Sequence, residues 1–306
     1  MDIEGRQGKT VGGAAADLPA YQEEPERLTD KGAGETPRQD QTGQPFLTVI
    51  IPAYNEERRL PQTLQKTLDW LEQQPYRAEV LVVDDGSEDG TRSVVEDVLN
   101  HYSRTEAETE AGEANRPHLK LIANAHRGKA YAVRTGMLEG QGKYLLFTDA
   151  DLSTPIEDFD RLLGWLEKDY DVAIGSREGQ GARRFNEPYY RHLMGRVFNL
   201  LVRTVTFSRF QDTQCGFKAF TREAAQTLFQ KVQLYGENSP KVKGAMVTGF
   251  DVEVLFLARK LNYRVREVPV RWFHVSGSKV NPVKDSLRMI GDISKVRLND
   301  MRGLYK

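Results

Sequence analysis

The chain has 306 residues, enough for one large domain or two small ones, and sets 43 Lys and Arg against 44 Asp and Glu. So even a balance gives no overall field for a polyanion, and no nucleic-acid partner is expected. Cys215 is the single cysteine, which excludes an intrachain disulfide and points to a reducing, cytoplasmic setting.

Residues 1–44 are rich in Gly, Ala, Glu, Gln, Pro and Thr with almost no large apolar side chains, and read as a disordered tail. Residues 1–45 carry five basic and nine acidic side chains, which leaves a modestly basic body behind an acidic tail. The body, 45–306, reads as one domain. FLTVIIPAY (46–54) is an apolar, β-branched run closed by Pro52, the pattern of a buried strand, and Leu60, Leu64, Leu68 and Leu71 then recur at helical spacing.

The alternation repeats along the chain. Strand 80–85 precedes a helix through Val94, Val95, Val98 and Leu99, and strand 119–124 precedes a helix over about 128–138. Strand 143–150 precedes a helix through Ile156, Phe159, Leu162, Leu163 and Leu166, and strand 171–177 closes this half. An exposed acidic loop is expected over 104–117. The second half offers an amphipathic helix over 189–207, a compact segment over 212–221 with a short helix after it, and a mobile loop over 241–249. A helix over 251–261, a strand over 263–273 and an amphipathic helical region over 282–304 follow. This order predicts an α/β fold, a mainly parallel sheet with helices on both faces, whose ligands bind at the carboxyl ends of the strands.

Chemistry-bearing residues gather at those ends. Asp149 and Asp151 flank Ala150, and residues two apart on an extended backbone point the same way, a geometry suited to a hard divalent cation such as Mg²⁺ or Mn²⁺. The competing reading is a helix cap ahead of Pro155. Asp84 and Asp85 end a strand before Gly86, where turn chemistry alone accounts for aspartate. Arg127 and Lys129 sit where a turn enters a helix, a place that favours phosphate, although a solvated face competes. Between Arg177 and Arg209 lie seven arginines and two carboxylates, a better match to phosphate oxygens than to an ordinary exposed helix. Cys215 reads as a buried structural thiol, and His126, His192 and His274 show no metal-ligand spacing and read as incidental.

IIPAYNEE, LVVDDGSEDGT and FTDADLSTP, in this order and spacing, resemble the inverting family 2 glycosyltransferases of the GT-A fold. DTQCGFKAFTREAA, GFDVEVLFLA and GSKV narrow the resemblance to the branch that acts on polyprenyl phosphates, over about residues 46–300. The resemblance implies a nucleotide-sugar site at Pro52, Tyr54, Glu56, Asp84, Asp85, Lys129 and Asp149, with Glu56 and Asp85 on the nucleotide and Asp85 facing the base. It implies Mg²⁺ or Mn²⁺ on Asp149 and Asp151. By the same resemblance Arg177 would meet the acceptor phosphate, helped by Arg184 and Arg191, and Asp212 and Asp251 would lie near the sugar and the reacting centre.

The expected activity is transfer of a hexose, glucose from UDP-glucose, to a polyprenyl or dolichyl phosphate. Transfer to a small soluble phosphorylated acceptor and a silent nucleotide-sugar-binding module are the alternatives. An apolar face with arginines over 189–207, and a net charge of +4 over 277–306, predict peripheral attachment to an anionic membrane surface on its cytoplasmic side.

Overall fold

A computed structural model describes residues 43–108, 116–185, 210–237, 239–244, 248–275 and 282–305. Nearly all of the expected tail, the expected helix over 189–207 with Arg191, and residues 245–247 and 277–280 lie outside them.

Seven strands form one sheet in the order β3-β2-β1-β4-β7-β5-β8. β1 (Leu47–Ala53), β2 (Ala78–Asp84), β3 (His118–Ala123) and β4 (Tyr144–Thr148) run parallel, as do β5 (Val172–Ser176) and β8 (Val265–Pro269). β7 (Phe217–Thr221) lies between these two groups, antiparallel to both β4 and β5. The sheet is therefore mixed. The compact segment read over 212–221 proves to hold a central strand.

Helices cover both faces. Seven are described: α1 (Leu60–Glu72), α2 (Thr91–Glu108), α3 (Lys129–Glu139), α4 (Phe159–Leu166), α5 (Arg222–Lys231), α6 (Phe250–Lys260) and α7 (Pro282–Met301). Leu60, Leu64, Leu68 and Leu71 of α1 pack with Phe159, Leu162 and Leu166 of α4 against Val49 and Ile51 of β1. Ile50, between those two valine and isoleucine positions, joins the other core with Val133 and Met137 of α3, Leu228 of α5 and Leu257 of α6. Successive side chains thus enter opposite cores, and the strand reads as one continuous apolar run.

Two further expectations change in detail. Residues 104–108, read as loop, continue α2. The strand read over 263–273 splits after Pro269: β8 stays in the main sheet, and β9 (Arg271–Phe273) pairs in parallel with β6 (Arg183–Phe185) in a separate two-stranded sheet. β8 is the edge strand of the main sheet, where proline is tolerated, and Val270 N still donates to Ser176 O at 3.0 Å before the chain turns away. Asp158 anchors the departing strand, accepting from the Arg271 backbone N at 2.7 Å and its Nε at 2.8 Å.

Candidate active site

The turns after β1 and β2 are laced together at the carboxyl edge of the sheet. Asn55 has φ 54°, a left-handed backbone that asparagine tolerates better than most residues. Its N–H donates to Ser87 Oγ at 2.9 Å, and its Oδ1 accepts from Glu88 N at 2.9 Å. The Glu56 N–H donates to Thr91 Oγ1 at 2.8 Å, while the Glu56 carboxylate pairs with Arg59 at 2.8 Å. Pro52 is buried one step before the end of β1, opposite Val83.

The two adjacent aspartates divide their work. Asp84 has no exposed surface, and its carboxylate accepts from Ser87 N at 3.1 Å and Arg92 Nε at 2.5 Å. Asp84, expected among the nucleotide contacts, closes this turn, its carboxylate covered by its own chain. Asp85 accepts from Arg127 N at 2.9 Å, Gly128 N at 2.8 Å and His126 Nδ1 at 2.8 Å, and so fixes the turn into α3. Burial pushes the Asp85 carboxyl above the usual carboxylate range against the pull of those hydrogen bonds. The His126 ring stacks on Tyr54 with centroids 4.0 Å apart and 2° between planes. Its Nε2 lies 3.2 Å from the Gly244 carbonyl oxygen. His126, read as incidental, is a junction between the turns after β1 and β2 and loop 239–244.

Asp149 and Asp151 sit just past the end of β4, both partly exposed. Their turn is strained, because Leu152 has φ 44°, a conformation that costs a residue with a side chain of this kind about 1 kcal/mol or more. Three contacts hold it there: Leu152 N to Asp149 O at 3.0 Å, Ser153 N to Asp151 Oδ1 at 3.0 Å, and Thr63 Oγ1 from α1 to Ala150 O at 2.6 Å. Gly216 is packed directly behind Asp149, where an added Cβ would stand 2.1 Å from Oδ2. Only glycine leaves room for that carboxylate.

Lys129, the first residue of α3, bonds Asp149 Oδ1 through its ammonium. Partial burial pulls the Lys129 pKa down, but Asp149, Asp251 and Asp151 together outweigh it and raise the value above that of an ordinary lysine. Three carboxylates thus converge on one ammonium, and the surplus is negative. Among the described residues no group of three or more His, Cys, Asp or Glu side chains could hold a metal ion by itself. Two aspartates with open positions suit a hard cation that takes its remaining ligands from phosphate and water, as magnesium and manganese do.

Asp251, in the first turn of α6, is nearly buried and accepts from Lys218 Nζ at 2.6 Å. Burial raises its pKa, with Lys218 and Lys129 opposing. Lys218 is 1% exposed, donates also to the Cys215 carbonyl at 2.5 Å, and sits 5.2 Å from the centre of the Phe147 ring. Beyond Cys215, Asp212 holds Arg177 in a fork: Nε to Oδ2 at 2.7 Å, Nη2 to Oδ1 at 2.9 Å, with the Arg177 N–H at 2.9 Å. Burial opposes the Asp212 charge, but the Arg177 guanidinium wins and holds the carboxyl at about 2. Asp212, expected near the sugar, has no exposed surface and holds Arg177 in place. Arg184 donates to the Arg177 carbonyl at 2.9 Å and to Glu178 at 2.7 Å, bracing the same corner. Cys215 is buried, and burial pushes its thiol up to about 11, the character of a packed rather than a reactive sulfur.

Comparison with known proteins decides the family. The glycosyl transferase family 2 profile matches residues 48–229. The chain belongs to glycosyl transferase family 2. Within the family, dolichyl-phosphate beta-glucosyltransferase of Drosophila melanogaster is 38% identical over 272 residues, 85% of this chain and 77% of the relative. The protein of the same name from Dictyostelium discoideum is 34% identical, over 85% of this chain and 76% of its own length. Among solved structures, glucosyl-3-phosphoglycerate synthase from Mycobacterium tuberculosis, in complex with Mn²⁺, uridine-diphosphate and glucosyl-3-phosphoglycerate, matches with a TM-score of 0.53. That match is 13% identical and covers 83% of this chain and 80% of the other, which shows a common α/β GT-A fold and nothing finer.

In this family 2 chain the structure gathers Asp149, Asp151, Asp251 and Lys129 into one charged group, with the Arg177–Asp212 pair reached across Cys215. It adds Lys218 and Gly216, which carry no expected role, and His126, read from the sequence as incidental. Gly216 carried a signal, a glycine directly after a buried thiol. Lys218 carried none, because lysine in a strand normally marks an exposed face.

Proposed function

We propose that the chain transfers glucose from UDP-glucose to a polyprenyl phosphate with inversion at the anomeric carbon. The observation that carries this reading is the juxtaposition of a carboxylate-rich end, Asp149, Asp151 and Asp251, with an arginine clamped by a buried carboxylate, Arg177. The first suits a cation and a diphosphate; the second suits an acceptor phosphate. The names of the curated relatives point to the same donor sugar and acceptor.

Asp149 and Asp151 would hold Mg²⁺ or Mn²⁺, which when bound supplies Lewis-acid neutralisation of the leaving diphosphate. Lys129 adds a further positive charge on the donor side, and Tyr54, Asp85 and Glu56 frame the nucleotide end. A phosphate monoester has its second pKa near about 6 and is already mostly dianionic at neutral pH, so Arg177 orients it without a strong base to activate it. One phosphate oxygen forms the new bond to the anomeric carbon. The bond from that carbon to the diphosphate breaks, and its electron pair leaves with UDP. Asp251, held by Lys218, borders this centre and balances its charge.

Attachment to a membrane completes the proposal. Among the described residues no helix is long and apolar enough to cross a bilayer. On α7, Ile290, Leu298 and Met301 fall on one helical face, and Met301 is 84% exposed, with Leu304 following at 50%. Lys295 stands exposed on the same helix, and Arg302 is exposed just past its end. Each basic side chain near an anionic surface contributes about 1 kcal/mol, weakened by salt. Vesicles containing anionic lipid and polyprenyl phosphate should carry the protein upward in a density gradient at low salt and release it at high salt. In the same vesicles Arg177→Lys should float equally well and raise the acceptor KM by about tenfold, since lysine replaces a two-pronged contact by a point charge. Protein remaining at the bottom of the gradient at low salt overturns the membrane reading. Impaired donor binding in Arg177→Lys, with an unchanged acceptor KM, overturns the assignment of the acceptor end.

A further inference from the structure

Lys129 occupies an oxygen that a cation needs. Its ammonium bonds Asp149 Oδ1, while Gly216 leaves room for the other oxygen of the same carboxylate, where a Cβ would stand 2.1 Å from Oδ2. Asp251 and Asp151 also lie within electrostatic reach of the ammonium. The pair is accessible, with the Lys129 and Asp149 side chains 40% and 35% exposed, so the ammonium can exchange with a dissolved ion. Two cations on one carboxylate oxygen repel, and arrival of a divalent ion at Asp149 and Asp151 therefore requires the ammonium to move away. Lys129 heads α3, whose cap, Gly128, has no side chain to satisfy the first turn, and a helix start of that kind favours phosphate oxygens.

We propose that Lys129 is the resident counter-cation of the Asp149–Asp151 pair, displaced by the divalent ion and taken up by the diphosphate of the donor, so that metal and donor bind cooperatively. No covalent bond changes; the ammonium exchanges a carboxylate oxygen for a phosphate oxygen. This inference rests on the metal reading of Asp149 and Asp151. Without a diphosphate, the ion must dislodge an ammonium that has nowhere better to go. With the diphosphate present, the ammonium gains a partner, and the coupling is reciprocal as linkage requires.

Calorimetric titration of the full chain with Mn²⁺, with and without UDP, tests it. Wild type should bind Mn²⁺ weakly alone and about tenfold more tightly with UDP. Lys129→Met should bind Mn²⁺ alone about tenfold more tightly than wild type, and the effect of UDP should shrink to within about twofold. Unchanged or weaker Mn²⁺ binding by Lys129→Met overturns the proposal. Lys129→Gln gives the same readout should the methionine variant fail to fold. Asp151→Asn separates the two levels. Loss of Mn²⁺ binding in Asp151→Asn beside an unaffected Lys129→Met removes only the role of Lys129, whereas unaltered binding in Asp151→Asn removes the metal site itself.

Discussion

Asp151→Asn should lower glucosyl transfer by about a thousandfold or more while the protein stays folded. The metal-binding role demands a charged oxygen, and Lewis-acid stabilisation worth several kcal/mol corresponds to a loss of about that size. The fold has little reason to respond. Asp151 is partly exposed, and the hydrogen bond it accepts from Ser153 N at 3.0 Å can be kept by an amide oxygen. A thermal midpoint within about 2 °C of wild type is therefore expected, since a change of a few tenths of a kcal/mol moves a domain of this size little. A chelator should inactivate the wild type in parallel. Full transfer by Asp151→Asn, or by thoroughly chelated wild type, contradicts the assignment.

Asp212→Asn should act on stability instead. The substitution leaves the Arg177 guanidinium, 21% exposed, without the carboxylate that forks it, and breaking one side of a buried ion pair costs about 3 kcal/mol or more. The effect has a pH signature. The Asp212 carboxyl is held at about 2 in the fold against 3.8 for the free group, so its contribution is fully present above pH 3.8 and is lost as pH falls toward 2. Its size over that window is about 2 kcal/mol. Asp85, Asp251 and Glu267 are shifted upward by burial and act in the opposite sense, and the difference between variant and wild type reports Asp212 together with Glu267, whose carboxyl feels the Asp212 charge. Denaturant unfolding at pH 7 and across the acid range should show a gap between the two proteins that narrows below pH 3.8. A gap that stays constant to pH 2 contradicts the account of the pair.

Much of this architecture is legible in the residue order, and the failures have identifiable causes. The parallel strands β1, β2, β4 and β5 announce themselves because they are buried on both faces and so read as nearly unbroken apolar runs between helical repeats. β7 hides because Lys218 is its second residue, and a lysine in a strand looks like a solvent-facing one until Asp251, 33 residues on, is seen beside it. β9 leaves the main sheet just past Pro269, and its pairing with β6 depends on a contact 88 residues away in register. At the site, Asp149 and Asp151 are readable from spacing because both lie on one turn. Asp84, Asp85 and Asp212 are not separable in the same way, since an aspartate at a strand end serves equally as a turn closer, an ion-pair partner or a ligand contact. Burial decides among these roles, and burial comes from partners far along the chain: His126 for Asp85, Arg177 for Asp212.

The most direct measurement follows the sugar. Full-length protein, supplied with UDP-glucose labelled in the glucose, Mn²⁺ and polyprenyl phosphate, should move label into the organic phase as a glucosyl phospholipid. The transfer should depend on the polyprenyl phosphate and disappear with a chelator. Label that remains in the aqueous phase, or that passes instead to a small phosphorylated acid supplied in competition, contradicts the account.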